Sequence, residues 1–400
     1  MKRHRWRWLI AVACAAVPLA FLAANTGAAP KPIIIGVPVG LTGPLQPWGL
    51  WPMQMAQLAV DDVNKAGGVL GRPLKLVSCD DKSDFAANGA ACATQVLDKG
   101  AVAILTSCDY DWSSPANSTA QKRKIPGISF CAGAPQFGPH GLGPYTFSMG
   151  IATPNEADVP AEWAYQVQKW RRVYLFNDTT IAYDTTYCKA FKKRWQQLGG
   201  TIGGEDAFRN GDASVAGQVG RMRAAQSRFD FIVLCSYPAG GASAIRQIRS
   251  GGITKPIFMN VGMGGDYWFN TVPGLTNAYQ GTYASWKGDD PRPKVNELSK
   301  RYAARYHVPD PRFPHAFMGY EAIQMLVAAM KQAGSTDGTK VANALRHMDL
   351  KNALIGEHRI DPTYDQSFTL PVTIMKITNG KVHFLTVRRP QINPKTLLPL

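Results

Sequence analysis

Residues 31–66 constrain this chain more than any other stretch, because they spell out a strand, a loop and a helix in immediate succession. Pro32-Ile-Ile-Ile-Gly-Val-Pro-Val39 is a short β-branched run punctuated by proline and glycine, the pattern of a strand buried on both faces. Gly40-Leu-Thr-Gly-Pro-Leu-Gln-Pro-Trp48-Gly49 follows as a loop. Beyond it Pro52 suits a first helical turn, Met55, Ala56, Ala59, Val60 and Val63 recur at helical spacing, and Gly67-Gly68 ends the run. Such a unit belongs to a parallel sheet, where the loop at the carboxyl end of a strand faces the ligand crevice. Trp48 on that loop is therefore a binding candidate, with packing beneath the loop as its alternative role.

The unit repeats. Strands are expected at 74–78, 101–105 and 125–129, with helices at 84–98 and 115–123. The alternation restarts with strands at 173–176, 231–234 and 256–259 and helices opening at Tyr183 and Ser243. Segments 294–306 and 315–332 read as helices, and Asn379-Gly380 between two β-rich runs marks a hairpin. Strands alternating with helices imply an α/β fold with parallel sheets, and a chain of this length exceeds what one core serves, so two lobes are expected.

Residues 1–29 read as a signal peptide. Lys2, Arg3, Arg5 and Arg7 precede an apolar stretch, and the small residues between Ala24 and Ala29 offer the cleavage site, so the expected location is the periplasm. No later run is long and apolar enough to span a membrane. The chain has 44 Lys+Arg against 28 Asp+Glu; without the four basic residues of the leader the excess is about +12. Those charges are dispersed in short clusters with no nucleic-acid module, so no nucleic-acid partner is expected. Six cysteines remain after the leader, Cys79, Cys92, Cys108, Cys131, Cys188 and Cys235. An even number in an oxidising compartment permits disulfides, though spacing fixes no connectivity. Metal-ligand spacings, nucleophile elbows, phosphate loops and dinucleotide fingerprints are missing from the sequence, so neither a cofactor nor catalysis is expected.

Several pieces in order across nearly the whole chain carry a family likeness: Leu41-Thr-Gly-Pro-Leu with Trp48-Gly49, Asp61-Asp-Val-Asn-Lys-Ala-Gly-Gly68, Cys79-Asp-Asp81, Ile125-Pro-Gly-Ile-Ser129, Gly211-Asp-Ala-Ser214 and Arg246-Gln-Ile-Arg-Ser-Gly-Gly252. Together they resemble the solute-binding proteins of ATP-driven importers, in the leucine/isoleucine/valine-binding branch with its type I periplasmic fold. The resemblance implies two Rossmann-like lobes joined by three crossovers, with a ligand cleft between them. It places lobe 1 at 30–148 plus 286–352, lobe 2 at 149–285 plus 353–400, and hinges near Ser148, Ser285 and Gly356. The implied role is a monomer that captures a small molecule and delivers it to an inner-membrane ABC permease; the alternative is a sensor of the same fold signalling to a membrane receptor.

Carried over residue by residue, the cleft positions fall on Trp48, Asp109, Tyr110, Ala132, Gly133, Tyr183, Tyr237 and Gly262. Trp48, Tyr183 and Tyr237 look like the family's aromatic cleft residues. Amino-acid binders of the family put a hydroxyl residue for the carboxylate where this chain has Tyr110 and Gly133, and an acid for the ammonium where it has Gly262. An ammonium in a dry cleft without an anion is penalised, which disfavours a standard branched-chain amino acid. Asp109 or Asp111 is the remaining source of negative charge, unless they cap the next helix. With Trp112 added, the aromatic lining suits an aromatic or small oxygenated molecule.

Overall fold

A computed structural model describes residues 30–398; the expected signal peptide lies outside the described residues. The first sheet contains β1 (Ile33–Val39), β2 (Leu74–Asp80), β3 (Ala101–Thr106), β4 (Gly127–Ser129) and β5 (Thr146–Ser148), all parallel in the order β2-β1-β3-β4-β5. Helices α1 (Gln46–Lys65), α2 (Phe85–Asp98) and α3 (Tyr110–Lys122) connect its first four strands. Ile33, Ile35, Val37 and Val39 on one face have no exposed surface and Gly36 and Pro38 on the other are buried too, as a strand covered on both faces requires. Because β1 has β2 on one side and β3 on the other, the loops leaving β1 and β3 diverge and open a crevice at the carboxyl ends of the strands.

Helix α1 starts at Gln46, earlier than the expected Pro52. Pro47 takes the first-turn position, where a missing N–H costs nothing, and Pro52 falls inside the helix. Residue 52 has no N–H to offer the carbonyl of Trp48, which accepts the N–H of Cys108 at 3.3 Å instead. The helix is thereby tied to the loop after β3, and Trp48 rides on its first turns.

After β5 the chain enters the second sheet through α4 (Thr153–Gln166). Its strands β6 (Arg172–Asp178), β7 (Thr201–Phe208), β8 (Phe231–Cys235), β9 (Ile257–Met259) and β10 (Ala278–Thr282) are parallel in the order β7-β6-β8-β9-β10. Helices α5 (Ala182–Gln197), α6 (Ala216–Ala224) and α7 (Gly240–Ser250) link them. The periodicity argument does not find α4, because residues 153–164 are buried all round and leave no polar stripe. Its charges are answered internally: Arg194 of α5 pairs with Asp158 at 2.7 Å and Glu162 at 2.5 Å.

The chain then returns to the first sheet as α8 (Pro293–Tyr306), α9 (Phe317–Ala333) and α10 (Gly338–Arg346). A two-stranded ribbon, β11 (Asp349–Ala353) and β12 (Gly356–Arg359), leads back to β13 (Val372–Thr378) and β14 (Lys381–Arg388), which extend the second sheet beyond β10 as an antiparallel hairpin. Asn379 and Gly380, at φ 50 and 70, form the expected two-residue turn.

Disulfides join Cys79 to Cys92, Cys108 to Cys131 and Cys188 to Cys235, with Cα separations of 5.3, 4.5 and 5.8 Å.

Helix α9 crosses α1 at Gly319, where a Cβ would stand 1.8 Å from the carbonyl oxygen of Pro52. Gly319→Ala must push the two helices apart and is expected to cost about 1–3 kcal/mol. A lower midpoint in urea unfolding measures it; an unchanged midpoint would mean that the helices do not meet there.

Candidate functional site

The carboxyl ends of the two sheets face one another across a narrow cavity of about 30 Å³, so the side chains over it must part to admit an organic guest. Three aromatic side chains meet over it. Trp48 and Trp112 pack edge to face with centroids 5.3 Å apart, and Tyr237 of the second sheet reaches across to stand 5.3 Å from Trp112 and 6.3 Å from Trp48. Tyr267 and Phe313 back Trp48 at 6.0 and 5.6 Å. These perpendicular arrangements set the positive ring edge against a negative face.

On the first-sheet side, the loops after β3 and β4 are tied twice. The Cys108–Cys131 disulfide links them, and the Ser129 hydroxyl donates to the Ser107 carbonyl at 2.8 Å while accepting the Ala132 N–H at 3.0 Å. Between them Asp109 sits at φ 95, a conformation that costs a non-glycine residue roughly 1–3 kcal/mol. Its Oδ1 accepts the Asp111 N–H at 2.8 Å and caps α3, which therefore begins at Tyr110, ahead of the expected 115. Its Oδ2 is buried without a partner on the cavity wall. Burial, with the Asp111 charge nearby, pushes the Asp109 carboxyl up to about 8. Asp111 does a different job: its Oδ2 accepts the Ala182 N–H at 2.9 Å, across the cleft at the start of α5.

On the second-sheet side the centre is Glu156, in the first turn of α4 and 1% exposed. The Tyr183 hydroxyl donates to its Oε2 at 2.6 Å and the Tyr283 hydroxyl to its Oε1 at 3.5 Å, while the Gly262 N–H donates to the Tyr183 oxygen at 3.3 Å. Desolvation nevertheless pushes the Glu156 carboxyl up to about 8. Burial and the Glu156 charge hold the Tyr183 phenol well above its ordinary value, so it remains a donor. His315, stacked on Phe313 at 4.2 Å, is driven down to about 3 by burial and is neutral. Among the described residues no Lys or Arg lines the cavity.

Of the residues expected from the sequence, the structure brings Trp48, Asp109, Gly133, Tyr183, Tyr237 and Gly262 together on the wall, and Trp112 with them. Tyr110 and Ala132 are not on it: the cap at Asp109 turns residue 109 toward the cavity in place of 110, and Ala132 is fully buried with its N–H on Ser129. A Cβ on Gly133 would lie 2.8 Å from Thr153 Oγ1, and one on Gly262 3.1 Å from Tyr183 Cε1. A larger residue at 133 must displace Thr153, and one at 262 fits only if the Ser236 carbonyl and the Tyr183 ring give by a few tenths of an ångström. Glu156, Tyr283 and His315 escaped the sequence reading. The one available signal was an acid two residues after Pro154 in an N-terminal turn, and that pattern is commonplace.

The sequence matches the profile of the periplasmic binding protein family over residues 32–381. A Leu/Ile/Val-binding protein of Rhizobium johnstonii is 27% identical over 344 residues, covering 84% of this chain and 90% of its own length. Among solved structures, a leucine-binding protein of Thermotoga maritima superposes with a TM-score of 0.77 at 24% identity, covering 90% of this chain and 99% of its own. A solute-binding protein of R. palustris in complex with benzoate superposes with a TM-score of 0.74 at 15% identity, covering 90% and 97%. Two facing α/β sheets, a cavity at their strand ends and a profile match over most of the sequence lead to one assignment: the chain belongs to the periplasmic binding protein family, among the relatives of the Leu/Ile/Val-binding proteins.

Proposed function

We propose that this chain is exported, captures a small organic molecule between its two lobes and delivers it to an ABC permease of the inner membrane, without catalysing a reaction. The guest is an aromatic or small oxygenated compound in preference to a standard branched-chain amino acid. One observation carries this reading: Trp48 and Trp112 of one lobe close on Tyr237 of the other over a cavity between the sheets. A zwitterion needs donors for its carboxylate, and Gly133 offers no hydroxyl while the wall holds no Lys or Arg and its His315 is neutral. The benzoate complex of a neighbour shows that the fold accommodates an aromatic ring. Lobe 1 would comprise 30–148 plus 286–352 and lobe 2 149–285 plus 353–400, hinged near Ser148, Ser285 and Gly356. A monomer fits the surface, on which Leu70, Val167 and Leu385 are the exposed large apolar residues among those described, far apart in sequence and single.

A thermal-shift screen of aromatic and oxygenated compounds against leucine, isoleucine and valine tests the ligand class. A hit binding only the folded state adds about 2.7 kcal/mol at one hundred times its Kd, and Tyr237→Ala is expected to weaken it at least roughly tenfold, the size of a lost aromatic contact. A shift from leucine with none from the aromatics would overturn the proposed preference. Asp111→Ala removes the cross-cleft hydrogen bond, worth about 1 kcal/mol. Stopped-flow dissociation should be several-fold faster with an unchanged unliganded melting point; an unchanged rate would mean that Asp111 does not help hold the lobes together.

A further inference from the structure

The cavity's own charges bear on the charge of its guest. Asp109 comes from one lobe and Glu156 from the other, both on the wall, with no Lys or Arg beside them and His315 neutral. Asp109 Oδ2 is buried without a hydrogen-bond partner, on a backbone held at φ 95. A buried carboxyl oxygen left unanswered is costly, and a cationic guest would answer it with both a donor and a positive charge. Trp48, Trp112 and Tyr237 line the same cavity, and a ring face turned to the guest would attract positive charge as well through its quadrupole.

We propose that the guest is a compact organic cation, an amine or a quaternary ammonium, whose charge is met by Asp109 and Glu156 and whose apolar body lies against Trp48, Trp112 and Tyr237. The proposal rests on the solute-binding reading above and adds the charge to it.

Affinity for such a guest depends on pH with a fixed sign. Asp109 is faced by Asp111 on its own helix and by Asp184 and Tyr237 from the other lobe, and Glu156 by Tyr183, Tyr187 and Tyr283. The phenols stay protonated and His315 stays neutral, so the acids alone change charge near neutrality. With both carboxyls raised to about 8, each holds its proton at pH 6. A cation favours the ionised form, so binding expels a proton and tightens as pH rises from 6 to 8. An anionic guest would show the opposite slope and a neutral one almost none.

The test is isothermal titration of the full mature chain with choline and its uncharged isostere 3,3-dimethylbutan-1-ol, and with benzylammonium, benzyl alcohol and benzoate. At least one cation is expected to bind roughly tenfold or more tighter than its neutral isostere at pH 8. That ratio should fall by about tenfold at pH 6, with about one proton released in buffers of differing ionisation heat. Glu156→Gln and Asp109→Asn keep the hydrogen-bonding shape, and Asn still caps a helix. Each should cut the cation-to-isostere ratio at least roughly tenfold and flatten its pH dependence. Tighter binding of benzoate or of a neutral isostere, or a ratio unchanged in both variants, would overturn the proposal while leaving the solute-binding reading in place. If none of the five binds, the charge of the compound found by the thermal-shift screen decides: a cation supports the proposal and a neutral or anionic compound overturns it. A cavity that binds nothing in either experiment removes the solute-binding reading itself.

Discussion

One phenol joins three separately threaded pieces of this chain. Tyr183, at the start of α5, donates its hydroxyl hydrogen bond to Glu156 on α4 and accepts the N–H of Gly262 from the turn after β9. In a dry site each of these bonds is stronger than in water, and leaving one partner unmatched costs about 1–3 kcal/mol. A further layer holds the neighbouring loop in the same way. Ser236 donates to Asp178 at 2.8 Å, Asn210 reaches both Asp178 and the Tyr237 carbonyl, and Asn260 bridges Asp184 to the Ser236 N–H. The ends of β6, β8 and β9 thus form one polar lattice behind the cavity wall, and the aromatic side chains facing the guest inherit its rigidity.

The lattice links positions far apart in sequence. A side chain at 262 would meet the Tyr183 ring and the Ser236 carbonyl at 3.1 and 3.0 Å, so an acid there would displace the ring that now supports Glu156. Glycine at 262 and a carboxyl at 156 are two halves of one arrangement. The carboxyl on this side of the cleft is reached from the first turn of a helix that follows the crossover. The opposite end of an amino acid is less well served. Thr153 and the Ile151 carbonyl crowd the space beyond Gly133, so a hydroxyl side chain has no room there.

What the sequence revealed and what it concealed follow from where each residue's partners lie. The buried strands are β-branched runs between turn residues, and α1, α2, α7 and α9 keep an apolar stripe, so alternation was readable from periodicity alone. Trp48, Tyr183 and Tyr237 could be found because a parallel sheet sends the residues after its strands to one crevice. The edge strand β7, Thr201-Ile-Gly-Gly-Glu-Asp-Ala-Phe208, carries two glycines and two acids and gives no strand signal. Helix α4 is hidden for the opposite reason: Asp158 and Glu162 look solvent-facing until Arg194 is seen between them. Glu156 was lost with its helix. The choice between Asp109 and Tyr110 turned on a single residue of phase, set by a side-chain cap that no pattern of apolar spacing records.

Closure must be balanced as well as possible in geometry, and the cross-cleft contacts show how. Position Ile181, which precedes α5, provides no side-chain cap, and Asp111 of the other lobe supplies a carboxylate to the Ala182 N–H. When the lobes part, water answers both groups almost as well, so the net gain from this bond is about 1 kcal/mol. The edge-to-face meetings of Tyr237 with Trp48 and Trp112 add about 0.5–1.5 kcal/mol each at most. Contacts of that size bias the lobes toward meeting without locking them. A guest that engages both walls then decides the population, since a ligand shifts a two-state equilibrium only by its differential affinity for the two states. A stronger latch would close the cleft regardless of occupancy, and the outer surface presented to a permease would no longer report whether anything had been captured.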